Sequence, residues 1–274
     1  APVGDLLPGM AYLVRRLLEN TSNESWLRGK FAEGKSLDEL LADPQDKIKG
    51  SAPALYPHRA FNNEPYLDFA VESDRVKMQT ALKNFKFDQK VAPILDGQMV
   101  TGGEVVSRLN PSKTSEVIAH VTYGTQEQAE KAVMSAHNYC KDWKKVSLQT
   151  RAHYLEKMAD LMVAKKFELA ACQVFEVGKP WAEADADVAE AVDFCSYYAQ
   201  NAKEIFKAQK VGGIPGDHSD YAYRSRGVVA VISPWNFPLA ILTGQVAAAL
   251  VTGNTVVMKP AEQSSLVALS LFQI

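Results

Sequence analysis

The stretch from Val228 to Leu266, VVAVISPWNFPLAILTGQVAAALVTGNTVVMKPAEQSSL, constrains the fold more than any other part of the 274-residue chain. Val228 to Ile232 is apolar and β-branched, the composition of a strand buried on both faces. Pro234 and Pro238 end it, since each lacks an N–H and restricts the residue before it. Leu239 to Leu250, rich in Ala and Leu, predicts a helix that stops at Thr252-Gly253. Thr255 to Met258 predicts a second buried strand running into Lys259-Pro260, and a further helix is expected from about Ser264. This order, β-α-β-α with short connections, predicts an α/β fold built on a parallel, doubly wound sheet.

In such a sheet ligands meet the chain beyond the carboxyl ends of the strands, which is where Asn236 and Lys259 fall. An amide set between two prolines has a restrained backbone and can aim its N–H₂ at an oxygen that gains charge. Lys259 brings three donors and a positive charge, suited to ribose hydroxyls or phosphate. Taken singly, the commoner roles for such residues are a turn cap and a solvated strand end. The G-x-G-x-x-G dinucleotide fingerprint is absent from this stretch.

Read as a whole, PWNFP followed by a small-residue helix and then GNTVVMKPAEQ resembles the aldehyde dehydrogenase superfamily. The resemblance implies a nicotinamide cofactor bound without a glycine fingerprint. It implies Asn236 as an oxyanion donor, Ile232, Ser233, Pro234 and Trp235 lining the cofactor cleft, and Lys259 and Glu262 contacting the adenosine ribose. A carboxylate beside the ribose repels a 2′-phosphate, so Glu262 favours NAD over NADP without settling the choice. The nucleophilic cysteine of that family lies well downstream of KPAEQ, beyond Ile274, so this segment alone is expected to be inactive and to bind NAD weakly at best.

At the other end, Leu13, Val14, Leu17 and Leu18 give a helix an apolar stripe, and Arg15 and Arg16 point about 100° apart on it. Arginine suits carboxylates through its planar fork; a lone pair of arginines is more often a solvated basic edge. APVG followed by YLVRRLLENTSNESWLR resembles the last helix of the proline dehydrogenase (β/α)₈ barrel in bifunctional proline-catabolic proteins of the PutA type. That resemblance implies that Arg15 and Arg16 hold the carboxylate of proline above an FAD ring, with Tyr12 beside the substrate and Glu19 beside the flavin. Most of the FAD site would lie outside this chain.

Three segments are therefore expected. Residues 1–34 form the end of the barrel and residues 35–60 a linker with Pro, Gly and charge intermixed. Residues 61–274 form the N-terminal, NAD-binding part of an aldehyde dehydrogenase fold with a partial Rossmann-like sheet. FNNEPYLDF and EVGKPWAEADADVAEAVDF resemble the 1-pyrroline-5-carboxylate dehydrogenase branch. Within this part, Val91 to Val100 predicts a hairpin turned at Asp96-Gly97, and Thr125 to Phe206 reads as mainly helical with a break at Gly178-Lys179-Pro180. Asp185, Asp187, Glu190 and Asp193 scatter around their helix, which predicts a solvated acidic face and no metal site. His137 and His153 lack ligand partners at metal spacing. Val211 to Arg226 reads as a turn and an exposed strand, which by the family resemblance is an arm pairing with another subunit.

A net charge of −2 without a long basic run gives nucleic-acid binding no electrostatic support. No apolar run approaches the ~18 residues of a membrane span, so any peripheral membrane contact would come from parts outside this segment. Cys140, Cys172 and Cys195 are odd in number and widely spaced, as in reduced, packed cysteines of a cytoplasmic protein.

The expected activity is the oxidation of proline with FAD and of L-glutamate γ-semialdehyde to glutamate with NAD, by homo-oligomers of a longer protein. The alternatives are an aldehyde dehydrogenase of other specificity and a non-catalytic nucleotide-binding or assembly module.

Overall fold

A computed structural model describes residues 61–274 and, ahead of them, Met10, Val14 and Ser36. The chain divides into two compact units, Ala1–Ala60 and Phe61–Ile274. The expectations for Tyr12, Arg15, Arg16, Glu19 and the linker lie outside the described residues.

The second unit opens with helix α1 (Glu72–Lys83), followed by β1 (Gln89–Val91), β2 (Ile94–Leu95) and β3 (Gln98–Met99). β2 and β3 form the expected hairpin, with Asp96 at φ 50° and Gly97 at φ 79°, the positive pair that a two-residue primed turn requires. β4 (Val105–Asn110) and β5 (Lys113–Thr122) pair antiparallel, and β1 joins the other edge of β5 in parallel.

Four helices follow: α2 (Gln126–Trp143), α3 (Leu148–Ala164), α4 (Lys166–Val177) and α5 (Trp181–Ile205). Helix α2 starts on a capping box, in which Thr125 and Gln128 satisfy each other's backbone donors. Helix α5 buries Ala184, Val188, Ala191, Cys195, Ala199 and Ala202, a small-residue stripe that lets α3 and its other neighbours approach closely. A hairpin of β6 (Gln209–Val211) and β7 (Ser219–Tyr221) then stands exposed along its whole length.

The stretch that set the fold expectation forms β8 (Val228–Ile232), α6 (Ala240–Val251), β9 (Thr255–Lys259), a 3₁₀ turn (Glu262–Ser264) and α7 (Ser265–Phe272). β8 and β9 are parallel, in a register running from Val228↔Thr255 to Ile232↔Lys259. Helix α6 is tied down at its C-terminal end, where Trp143 Nε1 donates to Leu250 O at 3.1 Å and the buried Arg151 Nε to Val251 O at 2.9 Å. Asn254 accepts from the N–H groups of Arg226 and Gly227, fixing the entry to β8.

Two expectations need correction. β8 is not buried on both faces: Val231 is buried, whereas Ala230 and Ile232 are exposed. Among the described residues β8 pairs with β9 alone, and its open side borders a groove of about 520 Å³ lined in part by Gln245, Ala248 and Ala249 of α6. Nor are Asp185, Asp187 and Asp193 of α5 part of a solvated face. Asp185 and Asp187 are 1% and 0% exposed, because each reaches a backbone N–H far away in sequence. Asp185 accepts from Leu67 N at 2.7 Å and lies 3.3 Å from Lys166 Nζ. Asp193 accepts from Asn63 Nδ2 and Glu64 N.

Candidate active site

The register Ile232↔Lys259 brings the two loops of interest to the same end of the parallel pair. Ser233 N donates to Lys259 O at 3.3 Å, which extends the ladder by one bond and anchors the turn that follows. Ser233 is buried, and its hydroxyl has no hydrogen-bond partner among the described residues. Ile232 and Trp235 are 68% and 52% exposed, so an apolar wall and a turn-borne indole face outward beside the orphaned hydroxyl. Pro234 and Asn236 are exposed too. The Asn236 side chain makes no hydrogen bond among the described residues, so it caps no turn and both amide donors remain free.

Lys259 Nζ lies 3.0 Å from Glu262 Oε1, and both side chains are about half exposed (54% and 53%). The Glu262 carboxyl is held below the usual carboxylate range by its own backbone N–H and by Lys259. The pair presents a donor and an acceptor side by side at the strand end, a fit for a vicinal diol. Exposed apolar surface, a free buried hydroxyl and this pair have the chemistry a nucleotide cofactor needs.

The supports of this site went unread in the sequence. Gly178, at φ 69°, ends α4 in the left-handed conformation. On its two sides stand buried carboxylates that fill the N-termini of the helices after each strand. Asp187 Oδ2 accepts from Leu239 N at 3.1 Å and Oδ1 from Ala240 N at 3.3 Å, at the start of α6. Glu176 Oε1 accepts from Leu266 N at 2.7 Å and Oε2 from Val267 N at 2.8 Å, at the start of α7. Burial pushes Asp187 up to about 6, against the pull of Lys179 and the two backbone donors. It pushes Glu176 up to about 7, against Leu266 N, Val267 N and Arg108.

These are the donors that hold phosphate groups in glycine-fingerprint folds. Here the protein's own carboxylates occupy them. A carboxylate on the Ala-rich, buried side of α5 was the signal for Asp187. For Glu176 the signal was its place two residues before the helix-ending glycine.

Lys179 completes the arrangement. Its side chain is 9% exposed, with Nζ 3.7 Å from Asp187 Oδ1 and 4.3 Å from the centroid of the Phe237 ring, next to Asn236. By contrast the three cysteines are buried and free, and burial pushes the Cys172 thiol well up and Cys195 to about 12. No group of three or more His, Cys, Asp or Glu among the described residues is arranged to hold a metal ion. No described helix is long and apolar enough to cross a membrane.

Residues 99–274 match the aldehyde dehydrogenase family and residues 1–29 match proline dehydrogenase. Over 216 residues the chain is 39% identical to the 1-pyrroline-5-carboxylate dehydrogenase of Staphylococcus haemolyticus, covering 78% of this chain and 42% of that relative. Among solved structures, it is similar over 100% of its length to proline utilization A (PutA) from Bdellovibrio bacteriovorus inactivated by N-propargylglycine, at a TM-score of 0.77 and 53% identity over 29% of that protein. It is also similar, over 80% of its length, to a 1-pyrroline-5-carboxylate dehydrogenase from Thermus with bound NAD, at a TM-score of 0.74 and 39% identity over 43% of that protein. The chain thus spans less than half the length of these relatives. With the family matched across most of its residues, the chain belongs to the aldehyde dehydrogenase family.

Proposed function

We propose that this chain is part of a proline-catabolic enzyme that oxidises L-glutamate γ-semialdehyde to glutamate with NAD⁺, joined to a proline dehydrogenase that uses FAD. The observation that carries the reading is the free Asn236 amide in a turn anchored to Lys259, on the same strand end as the Lys259–Glu262 pair. Similarity to 1-pyrroline-5-carboxylate dehydrogenases and to PutA supports the choice of substrate.

In this reading Asn236 donates from its N–H₂ to the aldehyde oxygen as a thiolate attacks the carbonyl carbon and negative charge gathers on that oxygen. The attacking thiol is none of Cys140, Cys172 and Cys195, which are buried in packed helices. Ile232, Ser233, Pro234 and Trp235 line the cleft that takes the cofactor, and Lys259 and Glu262 hold its adenosine ribose. NAD⁺, when bound there, supplies the acceptor for the substrate's hydride.

Arg15 and Arg16 grip the carboxylate of proline, with Tyr12 at the substrate and Glu19 at the flavin. Residues 1–34, 35–60 and 61–274 are the barrel end, the linker and the dehydrogenase part. The exposed β6–β7 hairpin is the arm of a homo-oligomer in the cytoplasm. The test is NADH formation by the complete source protein supplied with the semialdehyde. Turnover supports the reading; NAD⁺ binding without turnover would point to a non-catalytic module.

A further inference from the structure

Two lysines are buried in the helical layer, and their surroundings differ. Lys166 is satisfied: its Nζ donates to Pro65 O at 2.6 Å and to Glu64 Oε1 at 3.3 Å and lies 3.3 Å from Asp185. Lys179 Nζ, equally hidden, has no hydrogen-bond partner among the described residues. It is left with an ion pair at 3.7 Å and the face of Phe237 at 4.3 Å. A buried ammonium with unfilled donors is a poor source of stability, since its desolvation is only partly offset. Its backbone lies between the left-handed Gly178 that ends α4 and Pro180, which narrows the conformations open to it.

What Lys179 touches is the turn that carries Asn236. Ser233 N anchors that turn on one side. On the other, Ile241 N donates to Phe237 O at 3.3 Å, and Asp187 holds Leu239 N and Ala240 N. Between these anchors, residues 234–238 make no side-chain hydrogen bond among the described residues. Pro238 is buried at the end of this interval, and the ammonium over the Phe237 ring adds a restraint nearer its middle; cation–π attraction strengthens when the cation is desolvated. The same ammonium faces the carboxylate that caps α6, so one group joins the turn to the helix start behind it.

We propose that Lys179 is a positioning residue: wedged between Asp187 and the Phe237 ring, it fixes the Trp235-Asn236-Phe237 turn so that the Asn236 amide meets the reacting oxygen, without itself touching substrate. The inference rests on the role of Asn236 given above.

A double-mutant cycle in the complete source protein tests it, with Lys179→Met, Asn236→Ala and the pair. Displacing a reacting group by about 1 Å costs up to about 100-fold in rate, so K179M is expected to lower kcat by about 10- to 100-fold. The loss is expected to fall more heavily on kcat than on NAD⁺ affinity, read by titration, because the Asn236 amide acts on the transition state while Trp235, in the same turn, passes only a smaller loss to cofactor binding. In the N236A background K179M is expected to cost less than about twofold, since residues acting as a unit are not additive. Lys179→Arg, which keeps the charge and can stack on the ring, is expected to recover part of the loss.

The proposal falls if K179M keeps wild-type kcat, or if it costs the same factor with and without Asn236. In the latter case a crippled N236A leaves the functional reading standing. If N236A alone leaves kcat unchanged, the reading and this inference fall together. Should K179M prove insoluble, Lys179→Gln, neutral but of similar reach, takes its place in the cycle with the same outcomes.

Discussion

Glu176 gives the sharpest test of the buried carboxylates. It is 1% exposed and spans two backbone N–H groups at 2.7 and 2.8 Å. In the folded chain its carboxyl holds a proton up to about pH 7 rather than its ordinary 4.5. At about 1.4 kcal/mol per pH unit this amounts to roughly 3 kcal/mol. Because the folded value is the higher one, ionisation favours the unfolded chain. The contribution is fully present below about pH 4.5 and is lost as pH rises through about 7.

Glu176→Gln removes the titration but keeps the shape. One oxygen still accepts, while the new N–H₂ faces a backbone donor and leaves it unpaired, at about 1–3 kcal/mol at every pH. The variant is therefore expected to be the less stable protein at pH 5.5, with the gap closing or reversing by pH 8.5. A multidomain protein need not unfold in one step, so the readout is local. Amide exchange of the peptide spanning residues 262–272, corrected for the intrinsic pH dependence of exchange, reports the opening of α7. If wild type and variant show the same pH dependence of opening, the carboxylate does not titrate as described and the reasoning fails.

Other expectations follow from the same geometry. Lys166→Met strands Asp185, 1% exposed, without its cation; breaking such a pair costs about 3–5 kcal/mol, seen as a lowered melting temperature or loss of soluble protein. Lys259→Ala removes the donor paired with Glu262 at 3.0 Å. A lost hydrogen bond to a charged group is worth about 1.5–3 kcal/mol, so the KM for NAD⁺ should rise at least about tenfold while kcat at saturation changes little. An unchanged KM would remove Lys259 from the ribose site.

Much of the fold was legible because its signals are local. The β8-α6-β9 unit is two apolar runs and an Ala-rich segment separated by Pro, Gly and Asn, and each element formed within a residue or two of its expected bounds. The β2–β3 turn followed from Asp96-Gly97, and the break between α4 and α5 from Gly178 and Pro180. Lys259 was legible from its place at a strand end, Glu262 only through the family resemblance, and the contact between them spans three residues.

The failures were of longer range. Asp187 and Glu176 meet N–H groups 52 to 53 and 90 to 91 residues away. The Ala-rich side of α5 marks where a carboxylate would be buried, but no pattern within α5 says which of its turns meets α6. The burial of β8 was overstated for a similar reason. An apolar strand records the neighbours it can take, whereas its exposure depends on which of them are paired, and here β9 alone pairs with it among the described residues.

The central claim is that the free Asn236 amide stabilises charge on the reacting oxygen, and Asn236→Ala in the complete protein tests it most directly. The measurement is single-turnover NADH formation from glutamate γ-semialdehyde at saturating NAD⁺, with NAD⁺ affinity measured alongside. Loss of one oxyanion donor costs about 10²–10³ in rate, and that loss is expected here with NAD⁺ affinity unchanged. A variant that turns over at the wild-type rate would contradict the account.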